Sequence, residues 1–75
     1  MPESINVRIR LVGVAGGGSH ARELPANATV GDALRALGDY RDADVSVLIQ
    51  GRVAEWSQPL GDGDDLLVIP PLAGG

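Results

Sequence analysis

The sequence predicts an α+β domain in which about five short strands form one mixed sheet and a single main helix covers one face, in the order β-β-α-β-β-β. Three observations lead there. Ile5, Val7, Ile9 and Leu11 alternate with Asn6, Arg8 and Arg10, the period of a half-buried strand. Thr29 followed by Asp32 has the pattern of a helix N-cap with an acidic partner three residues on, and Val30, Ala33, Leu34 and Leu37 lie on one helical stripe behind it. Leu66 to Ile69 is apolar at every position, as in a strand near the middle of a sheet.

The remaining elements follow in order. A glycine-rich stretch, Gly13 to Gly18, leads from the first strand into a short second one around Ala21 to Leu24, a loose hairpin. Gly38 stands where a left-handed cap would stop the helix, and Asp39 to Asp44 reads as polar linker. A third strand, Val45 to Ile49, turns at Gln50-Gly51 into a fourth at Arg52 to Ala54. "LGDGDD", Leu60 to Asp65, makes the turn into the last strand, Leu66 to Ile69. Pro70 and Pro71 have no N–H to donate, so pairing should end there. The first and last strands are the longest apolar elements and are expected to be neighbours in the middle of the sheet. Residues 1–71 then form the domain and 72–75 a flexible tail. Ala73, Gly74 and Gly75 bring no large side chain to offset the ~1–2 kcal/mol that ordering each backbone residue costs.

Composition narrows the function. Seventy-five residues make one domain, and 44% hydrophobic content suffices for one core. Cys is absent, which excludes disulfides and thiolate catalysis; Phe is absent too, so Val, Leu and Ile must build the interior. A net charge of −4 argues against nucleic acid, whose binding needs a basic face. All the basic residues are Arg. The N-terminus has neither the charge nor the apolar run of a signal peptide, and no stretch reaches transmembrane length, so the cytoplasm is the expected location.

Several motifs dissolve on inspection. Gly16-Gly17-Gly18-Ser19 lacks the Lys of a phosphate loop and precedes a strand rather than a helix. Asp62, Asp64 and Asp65 lack the twelve-residue spacing and flanking helices of a calcium hand, and Asp-Gly pairs turn readily. His20 has no Cys or second His beside it, which leaves it a solvated loop residue, or at most a partner contact, and makes a metal site unexpected. Ser46 and Ser57, with that one distant His, suggest no nucleophilic elbow or triad. Trp56, near Leu60, reads as a cap on one end of the core.

One feature calls for more than packing. If Val45, Val47 and Ile49 join Leu66 and Val68 under the helix, then Leu48, Leu67 and Ile69 fall on the open face, with Arg8 and Arg10 beside them. Such a patch is a natural docking surface, the alternative being that loops fold over it.

The stretch "IQGRVAEWSQPLGDGDDLLVIPPLAGG", residues 49–75, resembles the C-terminal half of the ubiquitin-like sulfur carriers of the MoaD/ThiS superfamily, whose fold is the β-grasp. The family's hairpin turn corresponds to Ile49-Gln50-Gly51, and its P-L-x-D-G-D segment to Pro59-Leu60-Gly61-Asp62-Gly63-Asp64. An apolar strand, Pro70-Pro71 and Gly74-Gly75 complete the pattern, and "ATVGDALRAL" is similar to the family's helix start. The segment before the helix matches poorly, and the aromatic start typical of the molybdopterin-synthase small subunit is missing. The proline pair leans toward that branch rather than toward the thiamin carrier.

The resemblance implies a carrier rather than an enzyme: a co-substrate of its partners, or the small subunit of a sulfurtransferase complex. An adenylating partner similar to the ubiquitin-activating enzymes would use ATP to activate the carboxylate of Gly75, and sulfur would then convert it to a thiocarboxylate. A synthase subunit would accept that sulfur for a molybdopterin-type product. Gly74 and Gly75 would be the reacting end. Leu48, Leu67, Ile69, Pro70, Pro71, Leu72, Arg8 and Arg10 would meet the partners. No cofactor or metal is implied on the chain itself, and neither nucleic acid nor membrane is implied as a partner. Two other readings fit the same residues: a protein modifier joined to its targets through Gly75, whose lack of Lys excludes ordinary self-linked chains, or a plain β-grasp interaction module.

Overall fold

A computed structural model describes residues 3–14 and 17–71. Strands β1 (Ser4–Leu11) and β2 (Gly18–Pro25) precede helix α1 (Val30–Leu37), and β3 (Ser46–Ile49), β4 (Arg52–Ala54) and β5 (Asp65–Ile69) follow it. The sheet order is β2-β1-β5-β3-β4. β1 and β5 run parallel and every other pair antiparallel, so the first and last strands are neighbours as their sequences imply. With the helix on one face, this is the β-grasp arrangement.

Period-two patterning decides which face meets the helix. On β1 the side chains of Ile5, Val7, Ile9 and Leu11 are buried while Asn6, Arg8 and Arg10 are exposed. β5, with a strand on either side, buries Leu66 and Val68 completely. Val30, Ala33 and Leu34 of α1 close over them. Trp56 and Tyr40 pack at the margin of this core, the place that the sequence suggests for Trp56.

The helix starts on a full capping box. The Asp32 N–H donates to Thr29 Oγ1 at 3.3 Å, and the Thr29 N–H donates to Asp32 Oδ2 at 3.0 Å. Two more N–H groups of its first turn, those of Val30 and Gly31, donate to the carbonyls of Gln58 at 3.0 Å and Trp56 at 2.9 Å. The 56–58 loop therefore completes the cap that a helix end needs. Gly31 makes this possible, because a Cβ there would overlap the Trp56 indole.

Four local expectations change. Gly38 has φ 169, an extended backbone and not a left-handed cap; its N–H still closes on the Leu34 carbonyl. Asp39 to Asp44 is not all linker, since Asp42–Asp44 forms a 3-10 turn closed by the Asp44 N–H on the Arg41 carbonyl at 2.9 Å. Val45 is buried just before β3 begins and is not part of it. β2 is twice the expected length and includes His20, which pairs with Ile9 and so is a strand residue. It is an edge strand in which only Leu24 is buried, and a strand that buries so little carries no apolar alternation to read.

Candidate functional site: the open face and the end of β5

Strand registry assembles the face away from α1 into rows. Ser19, Arg10, Leu67, Leu48 and Val53 stand side by side, one from each strand. In the row nearer the end of β5, Ile69 pairs with Ser46, and the chain past β1 continues beside it through a Val12 N–H bond to the Val68 carbonyl at 2.9 Å. Leu48, Leu67 and Ile69 are half-buried, the placement expected for the open side. Two further apolar residues join them: Val12 is 56% exposed and Val53 63%. The sequence reading missed both. Val12 continues the phase of Arg8 and Arg10, and Val53 lies across the Gln50-Gly51 turn from Leu48, so registry was the signal that could have found them.

The arginines differ. Arg10 Nε donates to Asp65 Oδ1 at 3.1 Å, in an exposed pair. Arg8, directly opposite Asp65 in the ladder, holds its place through a backbone N–H bond to the Asp64 carbonyl at 3.0 Å. Its guanidinium makes no ion pair among the described residues, and is the free cation of the patch. A shallow depression of about 350 Å³ lies between the two turns, with Leu48 and Leu67 on its floor and Arg10, Gln50 and Asp65 around it.

The acidic turn shapes the fold. Asp62 Oδ1 accepts the Asn6 N–H at 2.7 Å and Asp64 Oδ2 the Gly61 N–H at 2.8 Å, so these carboxylates tie the turn to β1 and to itself. No group of three metal-ligating side chains occurs among the described residues.

β5 delivers the chain from the middle of the sheet to Pro70 and Pro71, both exposed. The Pro70 ring lies over Gly13, whose φ of 72 and 3.4 Å clearance to that ring favour a residue without a side chain. Pro71 is the last described residue. Leu72, Gly74 and Gly75, with the rest of the 72–75 tail, lie outside the described residues. No helix among the described residues is long and apolar enough to cross a membrane.

The crystal structure of small archaeal modifier protein 1 from Haloferax volcanii superposes with a TM-score of 0.74 at 28% identity, covering 91% of this chain and 99% of that one. A putative molybdopterin converting factor, subunit 1, from Pyrococcus furiosus gives 0.74 at 29% identity, covering 92% and 100%. The Caldiarchaeum subterraneum ubiquitin, at 23% identity, a TM-score of 0.69 and coverage of 97% and 100%, shares the fold. No curated protein sequence matches. The sequence model of the ThiS family matches residues 8–75, from the middle of β1 through both terminal glycines, and the chain belongs to the ThiS family.

Proposed function

We propose that the protein is a sulfur carrier whose working group is the carboxylate of Gly75. The observation that carries this reading is the family match, which runs through β5 and Pro70-Pro71 to Gly74-Gly75. An adenylating partner binds the domain by its open face, with Leu48, Leu67 and Ile69 as the apolar contact, Arg8 and Arg10 at its side, and Pro70, Pro71 and Leu72 leading into the active site. A Gly75 carboxylate oxygen attacks the α-phosphorus of ATP, releasing pyrophosphate and leaving an acyl-adenylate. Sulfide, or a persulfide later cleaved by a thiol, then displaces AMP and leaves the thiocarboxylate. A synthase subunit draws the sulfur from that group, and a molybdopterin-type pathway suits the proline pair and the Pyrococcus furiosus neighbour. Glycine at the last two positions lets the backbone approach both active sites closely. The protein itself holds no cofactor in this scheme; ATP belongs to the partner, and the cytoplasm is the setting.

The similarity to a small archaeal modifier protein favours a second reading, in which the same activated Gly75 is transferred to amines of target proteins. Intact-mass measurement after incubation with ATP, an adenylating enzyme and sulfide separates the two. A carrier gains the mass difference between one sulfur and one oxygen. A modifier appears as adducts on target lysines. A plain interaction module, which does neither, would refute both.

A further inference from the structure

The two edges of the sheet are not equivalent. The backbone N–H of Arg8 points at β5, so its antiparallel neighbour Ala21 turns its own N–H and C=O to the outside of β2. That outer edge is blunted: Arg22 Nη1 covers the Ala21 carbonyl at 2.8 Å, and Pro25 has no N–H to offer. β4, at the other edge, is short and opens on the exposed Arg52, but it contains no proline and among the described residues no side chain covers an outward backbone group of Val53. Gln50 and Gly51 both have positive φ, 55 and 79, as a two-residue hairpin turn requires. Ile49 and Arg52 close that turn as the hydrogen-bonded pair, and Leu48–Val53 is the next, non-bonded pair. Val53 therefore directs its N–H and C=O to the open edge, and no bond among the described residues uses either group.

We infer that β4 is the edge through which two copies of this chain pair, antiparallel and two-fold symmetric about Val53. In that register each Val53 exchanges both backbone bonds with Val53 of the second copy. Arg52 falls opposite the second copy's Ala54, so no like charges face each other. The row Leu67–Leu48–Val53 then runs on into the same three residues of the second copy, one apolar stripe across the six middle strands of the paired sheet. This continuity, together with a register free of charge conflict, selects a second copy as the occupant. Pairing through three-residue strands buries far less than the roughly 1,200–2,000 Å² of a stable complex, so the dimer is weak and reversible. It lengthens the open face and leaves it uncovered, and the symmetry sends the two β5 ends in opposite directions.

Sedimentation velocity and amide NMR over micromolar to millimolar concentration test this on the full chain. The expected result is a concentration-dependent dimer, with the largest amide shifts at Val53 and its neighbours. Val53→Pro should abolish it while the thermal melt is kept, because that N–H makes no bond within the chain. Val53→Lys, which sets two like charges face to face, should abolish it as well and decides the matter if the proline variant does not fold. A monomer at every concentration overturns the inference, as does a dimer that survives both substitutions. Val53 signals that move only when a different protein is added would show that the edge takes another occupant, and also overturn it.

Discussion

Leu48 and Leu67 stand directly opposite each other on β3 and β5, half-buried, on the face of the sheet that α1 leaves open. Their neighbours in sequence, Val47, Ile49, Leu66 and Val68, point the other way and are buried. One central strand thus serves two purposes, with one set of side chains holding the domain together and the other facing outward.

The contrast gives a direct test. Leu67→Asp should stay folded in circular dichroism, at a cost of about 1 kcal/mol, and bind the adenylating enzyme more weakly. Leu66→Asp places an uncompensated carboxylate in the core and should cost several kcal/mol or unfold the domain. If Leu67→Asp is as unstable as Leu66→Asp, the open face is not a free surface.

Removing Gly74 and Gly75 should leave the thermal melt unchanged, since both lie beyond the end of β5 and the proline pair. ATP–pyrophosphate exchange with an adenylating enzyme should disappear. Normal exchange by the truncated protein would count against the Gly75 carboxylate as the reacting group.

Gly31→Ala should destabilise the domain by about 1–3 kcal/mol, because the new methyl meets the Trp56 indole and the loop that caps α1 must shift. Trp56 is the only tryptophan, so its fluorescence reports that shift directly. An unchanged melt and emission maximum would mean that the loop yields freely.

Acid should weaken the helix cap. The Asp32 carboxylate titrates below its ordinary range, chiefly because it accepts the Thr29 backbone N–H, and further because Arg35 Nη2 donates to it at 2.7 Å. A carboxyl group whose folded pKa is depressed contributes stability above its unfolded pKa, about 3.9, and loses it as pH falls through the folded value. The stability difference between wild type and Asp32→Asn should therefore be constant near neutral pH and shrink below about pH 4. Thr29→Ala, which removes the other half of the box, should cost about 1 kcal/mol. A difference that grows on acidification would contradict the assigned role of Asp32.

Much of this was legible from residues close together in the chain. The alternation of β1, the Thr29–Asp32 box and the doubly apolar β5 are signals written within a few positions, because strand period and helix capping act over that range. The terminal pattern of Pro70-Pro71 and Gly74-Gly75 was equally local, and it pointed to the family. The tertiary structure decided what depends on pairing across distance. β2 extends to eight residues because β1 offers it a partner, although its own side chains bury little. Val53 joins Leu48 and Leu67 in one row only through the registry of three strands. Gly31 is required by an indole twenty-five positions away, and Asp62 anchors β1 through Asn6 from the far end of the chain. Hydrophobic periodicity states which side chains seek cover, but hydrogen-bond registry and close packing choose the neighbours, and no stretch of sequence contains both partners of such a choice.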